Sequence, residues 1–179
     1  MVATRPMTIR EFEAEARDGS WELIDGELVA LNPSGGGSSW IAGHIAFLLQ
    51  AHVRATNLGW IFPADAGFIL FEDRATVRSP DVAFVRRERL AELPESFVPI
   101  APDLAVEVLS PTDRRPDALA KVAMYLQAGV QLVWLVDPAR RIVTVFRPDA
   151  SIMSLEDGDV LDGGDVLPGF SVPVDTLFI

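Results

Sequence analysis

The stretch from Pro102 to Lys121, PDLAVEVLSPTDRRPDALAK, constrains the fold more than any other part of the chain. Its first half alternates as a β-strand does, with successive side chains on opposite faces. Leu104, Val106 and Val108 form one wholly apolar row, while Asp103, Ala105, Glu107 and Leu109 form the other. Glu107 therefore puts a carboxylate where a core strand favours another valine. Burying an ionised carboxylate alone costs several kcal/mol, so a cation, a donor or a metal must stand beside it. The second half turns helical. Pro116 suits a first helical turn, where a missing N–H is harmless, and Gly129 suits the end. The spacing predicts a helix over 114–128, carrying Lys121, the only lysine beside fourteen arginines.

A second such dipeptide, Pro80-Asp81, leads into the apolar run VAFV. Alternation groups Asp81 with Ala83 and Val85, and Glu107 with Ala105, so small neighbours leave room for an ion and a phosphate. Neighbouring strands lie about 4.8 Å apart, and two carboxylates at matching depth on adjacent strands can share a Mg²⁺ or Mn²⁺ ion. The strand carbonyl of Val108 is a candidate further ligand. On a helical wheel Lys121 neighbours Asp117, Ala118, Met124 and Tyr125, mostly apolar company that places it on a largely buried helix. An ammonium there would orient an attacking water and offset charge growing on phosphorus. Each residue also has a plain structural reading: Asp81 capping a turn, Glu107 paired with Arg78, Lys121 paired with Asp117, and Tyr125 in the core. Asp103 reads as a strand end or a local pair.

The remainder orders as helix, hairpin, helix, strands, helix, strands. Residues 8–17 form a helix opened by a Thr8/Glu11 capping box. In WELIDGELVAL, Asp25-Gly26 marks a two-residue hairpin turn and offers Glu22 and Glu27 as further acids. The helix over 39–57 has Ile41, Ile45, Leu48, Leu49 and Val53 at amphipathic spacing, with Gly59 as its stop. WIFPADAGFILF and TVRSPDVAFVRR read as strands, 87–101 as a surface excursion, and QLVWLVD and RRIVTVFR as two more strands. The expectation is one α+β domain over 1–179, with a flexible tail over 1–7 and helices packed on one mixed sheet.

Other features carry less. His44 and His52 lack a third ligand and do not make a zinc motif. Gly35-Gly36-Gly37 lacks the GKS/T of a phosphate loop, and DGDVLDGGD lacks EF-hand spacing. Trp60 and Trp134 are assigned to the core. With no cysteine, no apolar span and no secretory signal at its N-terminus, the chain is expected to be cytoplasmic. Its net charge of −11 opposes binding to a polyanion. Arg78, Arg86, Arg87, Arg89, Arg114 and Arg115 nevertheless flank the two acidic strands, whereas the chain after Arg147 has acids and no base.

WELIDGEL at 21–28, RSPDVAFV at 78–85 and APDLAVEVLSPTD at 101–113 occur in order, followed by Lys121, YLQAGV and VWLVDP at 133–138. In this the chain resembles the Uma-two family of restriction-endonuclease-like proteins, within the PD-(D/E)xK nuclease superfamily. The resemblance implies a mixed sheet between helices, with Asp81 and Glu107 as the metal-binding acids. The superfamily's usual lysine position, two residues after the glutamate, is Leu109 here, and the family resemblance moves that role to Lys121. The helix over 39–57 has no acid to match the superfamily's additional one, so Glu22, or else Glu27, takes its place. Where similar sequences carry a histidine near the helix start, this chain has Ser38-Ser39, with His44 a turn later. The implied function is a Mg²⁺-dependent endonuclease acting on DNA as a homodimer. A silent binding or assembly domain of the same fold, and a metal-dependent hydrolase of small phosphoesters, are the alternatives.

Overall fold

The structure is a computed structural model describing residues 5–15, 21–31 and 33–178. In chain order it comprises α1 (Ile9–Glu15), β1 (Trp21–Ile24), β2 (Glu27–Ala30), α2 (Gly36–Thr56), β3 (Gly59–Pro63), β4 (Phe68–Phe71), β5 (Thr76–Arg78) and β6 (Val82–Arg86). It continues with β7 (Leu104–Val108), α3 (Arg115–Gln127), β8 (Leu132–Asp137), β9 (Ile142–Phe146), β10 (Ile152–Leu155), β11 (Val160–Asp162), β12 (Ser171–Pro173) and a 3-10 helix (Val174–Phe178). This is the expected α+β class.

The strands divide among three sheets, where the chain order suggested one. Six strands run in the order β10-β9-β8-β7-β6-β3, four in the order β2-β1-β5-β4, and β11 pairs with β12. Proline explains the main division. Pro80 has no N–H to continue a ladder, so the run TVRSPDVAFV breaks there. β5 joins the hairpin in the smaller sheet and β6 joins the larger. Within the six-stranded sheet only β7 and β8 are parallel, and a parallel pair needs a crossover. That crossover is α3.

Two helices cover the large sheet. α2 buries Ile41, Ile45, Leu49 and Val53 against Val82, Phe84, Leu104, Val106 and Trp134. α3 buries Ala118, Val122 and Tyr125 on the other face, against Ala83, Val85, Ala105, Val133 and Leu135. α2 starts at Gly36, three residues before the expected position. It ends at Asn57 in the left-handed conformation (φ 55°), before Gly59 is reached. Gly59 serves a different purpose: a Cβ there would stand 2.1 Å from the Val85 carbonyl oxygen, so only glycine lets β3 approach β6.

At the N-terminus, Thr8 and Glu11 exchange the two capping-box hydrogen bonds, 2.9 and 3.3 Å long. Residues 16 and 17 of that expected helix, and 1–4 of the expected tail, lie outside the described residues. The rest of that tail is engaged, since Arg5 pairs with Glu11 and Met7 N donates to Gly26 O at 2.8 Å. The first hairpin turns through Asp25 (φ 50°) and Gly26 (φ 79°), the positive-φ pair of a type I′ turn.

Candidate active site

Asp81 and Glu107 meet because of strand register. β6 and β7 are antiparallel, with Val82 opposite Val106. One step further, Asp81 faces Glu107 across the pair, and directly opposed residues share a face. The backbone ladder stops there, and the Asp81 side chain takes over: its Oδ2 accepts a 2.7 Å hydrogen bond from Val108 N. In an extended residue the N–H and C=O leave the strand on one side, so the Val108 carbonyl also emerges toward Asp81. Oδ1 of Asp81 has no hydrogen-bond partner among the described residues.

Glu107 is 6% exposed, and both of its oxygens are held from α3. Lys121 Nζ donates to Oε2 at 3.0 Å, and the Tyr125 hydroxyl donates to Oε1 at 2.7 Å. Lys121 and Tyr125 are one helical turn apart, so they reach the same point. Neither alternative pairing occurs, since Lys121 turns to Glu107 instead of Asp117, and Arg78 goes elsewhere. The smaller sheet supplies that other pair: Glu22 on β1 receives Arg78 Nη1 at 2.7 Å and Ser79 N at 3.0 Å. Arg78 in turn touches Met124 Sδ at 3.4 Å on α3. Glu22, 1% exposed, is thus next to the cluster while fixing the segment that leads to Asp81.

The electrostatics follow from burial and crowding. Burial pushes the Asp81 carboxyl above its usual range, with the Val108 amide and Lys121 opposing. Burial also raises Glu107; Lys121 and Tyr125 counteract this, and Asp81 reinforces it. For Lys121 burial alone would lower the pKa, but Glu107 and Glu22 prevail and the net shift is upward, so the ammonium persists. Burial and the nearby carboxylates hold the Tyr125 phenol well above its ordinary value, so it remains a donor. Three carboxylates (Glu22, Asp81, Glu107) face two cations (Arg78, Lys121), a balance that welcomes one more positive charge.

Among the described residues no three His, Cys, Asp or Glu side chains converge as a metal cage. Asp81, Glu107 and the Val108 carbonyl nevertheless make an all-oxygen donor set with an uncommitted carboxylate oxygen. That chemistry fits Mg²⁺ or Mn²⁺, hard ions that take few protein ligands and keep several waters.

The other candidates sit apart. Asp103, 3% exposed, is at the far end of β7, bound by Arg86 N at 2.9 Å and Arg89 at 3.0 Å. Glu27 is exposed beside the hairpin turn. His44 stacks on Trp40, and His52 contacts Pro168 O at 3.1 Å. The glycines at 35–37 begin α2, and DGDVLDGGD forms turns and β11. Trp134 is fully buried, while Trp60 Nε1 donates to Leu90 O at 2.9 Å. Of the six flanking arginines, Arg78, Arg86, Arg89 and Arg115 all pair with acids. Tyr125 is the contact that sequence reasoning undervalued. Its signal was there: it is the only tyrosine, four residues after the only lysine.

No curated protein matches the chain. It is similar to the crystal structure of a protein from Anabaena variabilis described as a "putative nuclease". The two share 21% sequence identity over 97% of this chain and 98% of that one, with a TM-score of 0.81. At that identity the likeness establishes the fold. The model of the Uma2 family, described as "putative restriction endonuclease", matches residues 8–175. That span takes in every residue of the cluster around Glu107, and the chain belongs to the Uma-two family.

Proposed function

We propose that the chain is a Mg²⁺-dependent endonuclease hydrolysing DNA phosphodiester bonds, with Mn²⁺ able to substitute. The observation that carries this reading is that Asp81, just before β6, accepts from Val108 N at 2.7 Å beside Glu107 on β7, while Lys121 hydrogen-bonds Glu107 at 3.0 Å. Asp81, Glu107 and the Val108 carbonyl hold the ion. When bound, it polarises the phosphoryl oxygen and acidifies a water. Lys121, kept as an ammonium, orients the attacking water and offsets charge building on the phosphate. Tyr125 fixes one oxygen of Glu107, and the Val108 amide fixes one of Asp81, so neither carboxylate must reorganise. Glu22 is the additional acid of the site, acting through Arg78 and the Ser79 amide to set the approach to Asp81. Two copies, each cutting one strand, make the working unit a homodimer.

The test is metal-dependent nicking of a supercoiled plasmid by the purified protein beside Glu107→Ala and Lys121→Ala. Nicking that requires Mg²⁺ or Mn²⁺ and disappears in both variants is the expected result; equal behaviour of all three overturns the reading. A second reading, hydrolysis of small phosphoesters, draws on the net charge of −11 and on the pairing of four flanking arginines with acids. Turnover of a chromogenic phosphodiester with the plasmid left intact selects it. No described helix is long and apolar enough to cross a membrane, and the cysteine-free composition suits a cytoplasmic setting.

A further inference from the structure

Between Glu27 and Asp65 the only ionised side chain is Arg54, in a protein of net charge −11. α2 occupies most of that interval. Its inner side is core, but its outer side is not polar as a solvated helix face should be. Trp40 is 49% exposed and Phe47 67%. Their rings sandwich His44, with centroids 5.1 Å from Trp40 and 6.5 Å from Phe47. A surface helix with a three-ring stack and no acid along its length is built to be covered.

We infer that this face of α2 pairs with the same face of a second copy, in an antiparallel helix contact on a two-fold axis. Three observations select that occupant. Charge comes first: two chains of −11 repel, and they can approach only through a surface that carries no acid. A basic partner would instead be drawn to the acidic surfaces elsewhere. Symmetry is the second. In an isologous contact residue i meets j while j meets i. Trp40 and Phe47 lie equally spaced about the midpoint of Gly43 and His44, so a two-fold axis there sets each Trp40 on the partner's Phe47 and Gly43 on His44. Space is the third: a Cβ added at Gly43 or Gly36 meets nothing within 4 Å, so the backbone is bare for close approach. Nucleic-acid bases fit less well, because the facing ring surfaces already stack on each other and Arg54 alone could meet a phosphate.

The pairing rests on the homodimer in the reading above and names its surface, but not on the nuclease chemistry. α2 lies on the sheet face opposite Glu107 and α3. The dimer would therefore leave both sites open, facing away from the contact.

Sedimentation equilibrium of the full chain tests it, with plasmid nicking measured in parallel. A dimer at or below about 100 μM is expected, weakened about 30-fold or more by Phe47→Glu. Gly43→Gln is the second variant: its side chain has room in the single chain and better helix propensity, so it should weaken the dimer while leaving the melting temperature, measured at a concentration where both proteins are monomeric, unchanged or higher. A monomeric wild type overturns the pairing, whether or not its tryptophan fluorescence responds to single-stranded DNA. A dimer indifferent to both substitutions, or one broken only by Leu28→Lys on the exposed strand β2, also overturns it. Loss of nicking with the dimer intact concerns the chemistry alone.

Discussion

The two faces of the six-stranded sheet are made from the same strands and do opposite things. Toward α2, Val82, Phe84, Leu104, Val106, Val108, Leu132, Trp134 and Val136 form an unbroken apolar floor. Toward α3, the same strands offer Ala83, Ala105, Val133 and Leu135, and Glu107 interrupts them. The period of two makes this possible: adjacent residues of one strand belong to different environments. Val106 and Val108 anchor β7 from beneath, so Glu107 between them can be buried and polar without loosening the strand. Rigidity on one side permits electrostatic frustration on the other.

Substitutions on the α3 face should break chemistry before they break the fold, and those on the α2 face the reverse. The largest effect is expected from Glu107→Ala or Lys121→Ala, each lowering nicking about 10³-fold or more while circular dichroism stays native. Trp134→Ala on the opposite face should cost about 3–5 kcal/mol of stability, measured by urea unfolding, with metal affinity of the folded fraction retained. Arg78→Met tests the buried pair between β1 and β5 in the smaller sheet. It leaves Glu22 charged and buried, so about 3–5 kcal/mol should be lost, and a second change, Glu22→Gln, should restore much of it. Tyr125→Phe removes one hydrogen bond to an ionised acceptor and should cost about 1.5–3 kcal/mol.

The smallest effect separates the faces by sign. Folding raises the Asp81 pKa, chiefly by burial. An acid with a raised folded pKa contributes stability that is full below its unfolded pKa and is lost as pH rises through the folded one. At neutral pH ionised Asp81 is therefore a net burden, and Asp81→Asn, which can still accept from Val108 N, should raise the melting temperature at pH 7 but not at pH 3. The same shift sets the activity profile. Ion binding needs both acids ionised, so nicking should fall as pH drops through a range above that of ordinary carboxylates.

Much of this division was legible in the sequence. The alternation over 103–109 separated the two rows of β7, and Pro80-Asp81 with Ala83 and Ala105 marked where a polar pocket could open. What stayed hidden depends on which strands pair. Pro80 marks a break between β5 and β6, but nothing local says that the two pieces join different sheets, so the expectation was of one sheet. The pairing of Glu22 with Arg78 was obscured for the same reason: it lies inside the smaller sheet, across β1 and β5, and exists only because those two strands meet with Leu23 opposite Val77. The hydroxyl of Tyr125 was masked by its ring, which looked like any aromatic on an apolar helix.

The claim on which the rest depends is that the α3 face holds one hard cation between two β-strands. Anomalous diffraction from crystals soaked in Mn²⁺ addresses it directly. A single strong peak within ligand distance of Asp81, Glu107 and the Val108 carbonyl, absent in Asp81→Asn crystals, is the expected result. Crystals of protein that nicks DNA in the same buffer yet show no peak there, or show one bound by other residues, would contradict it.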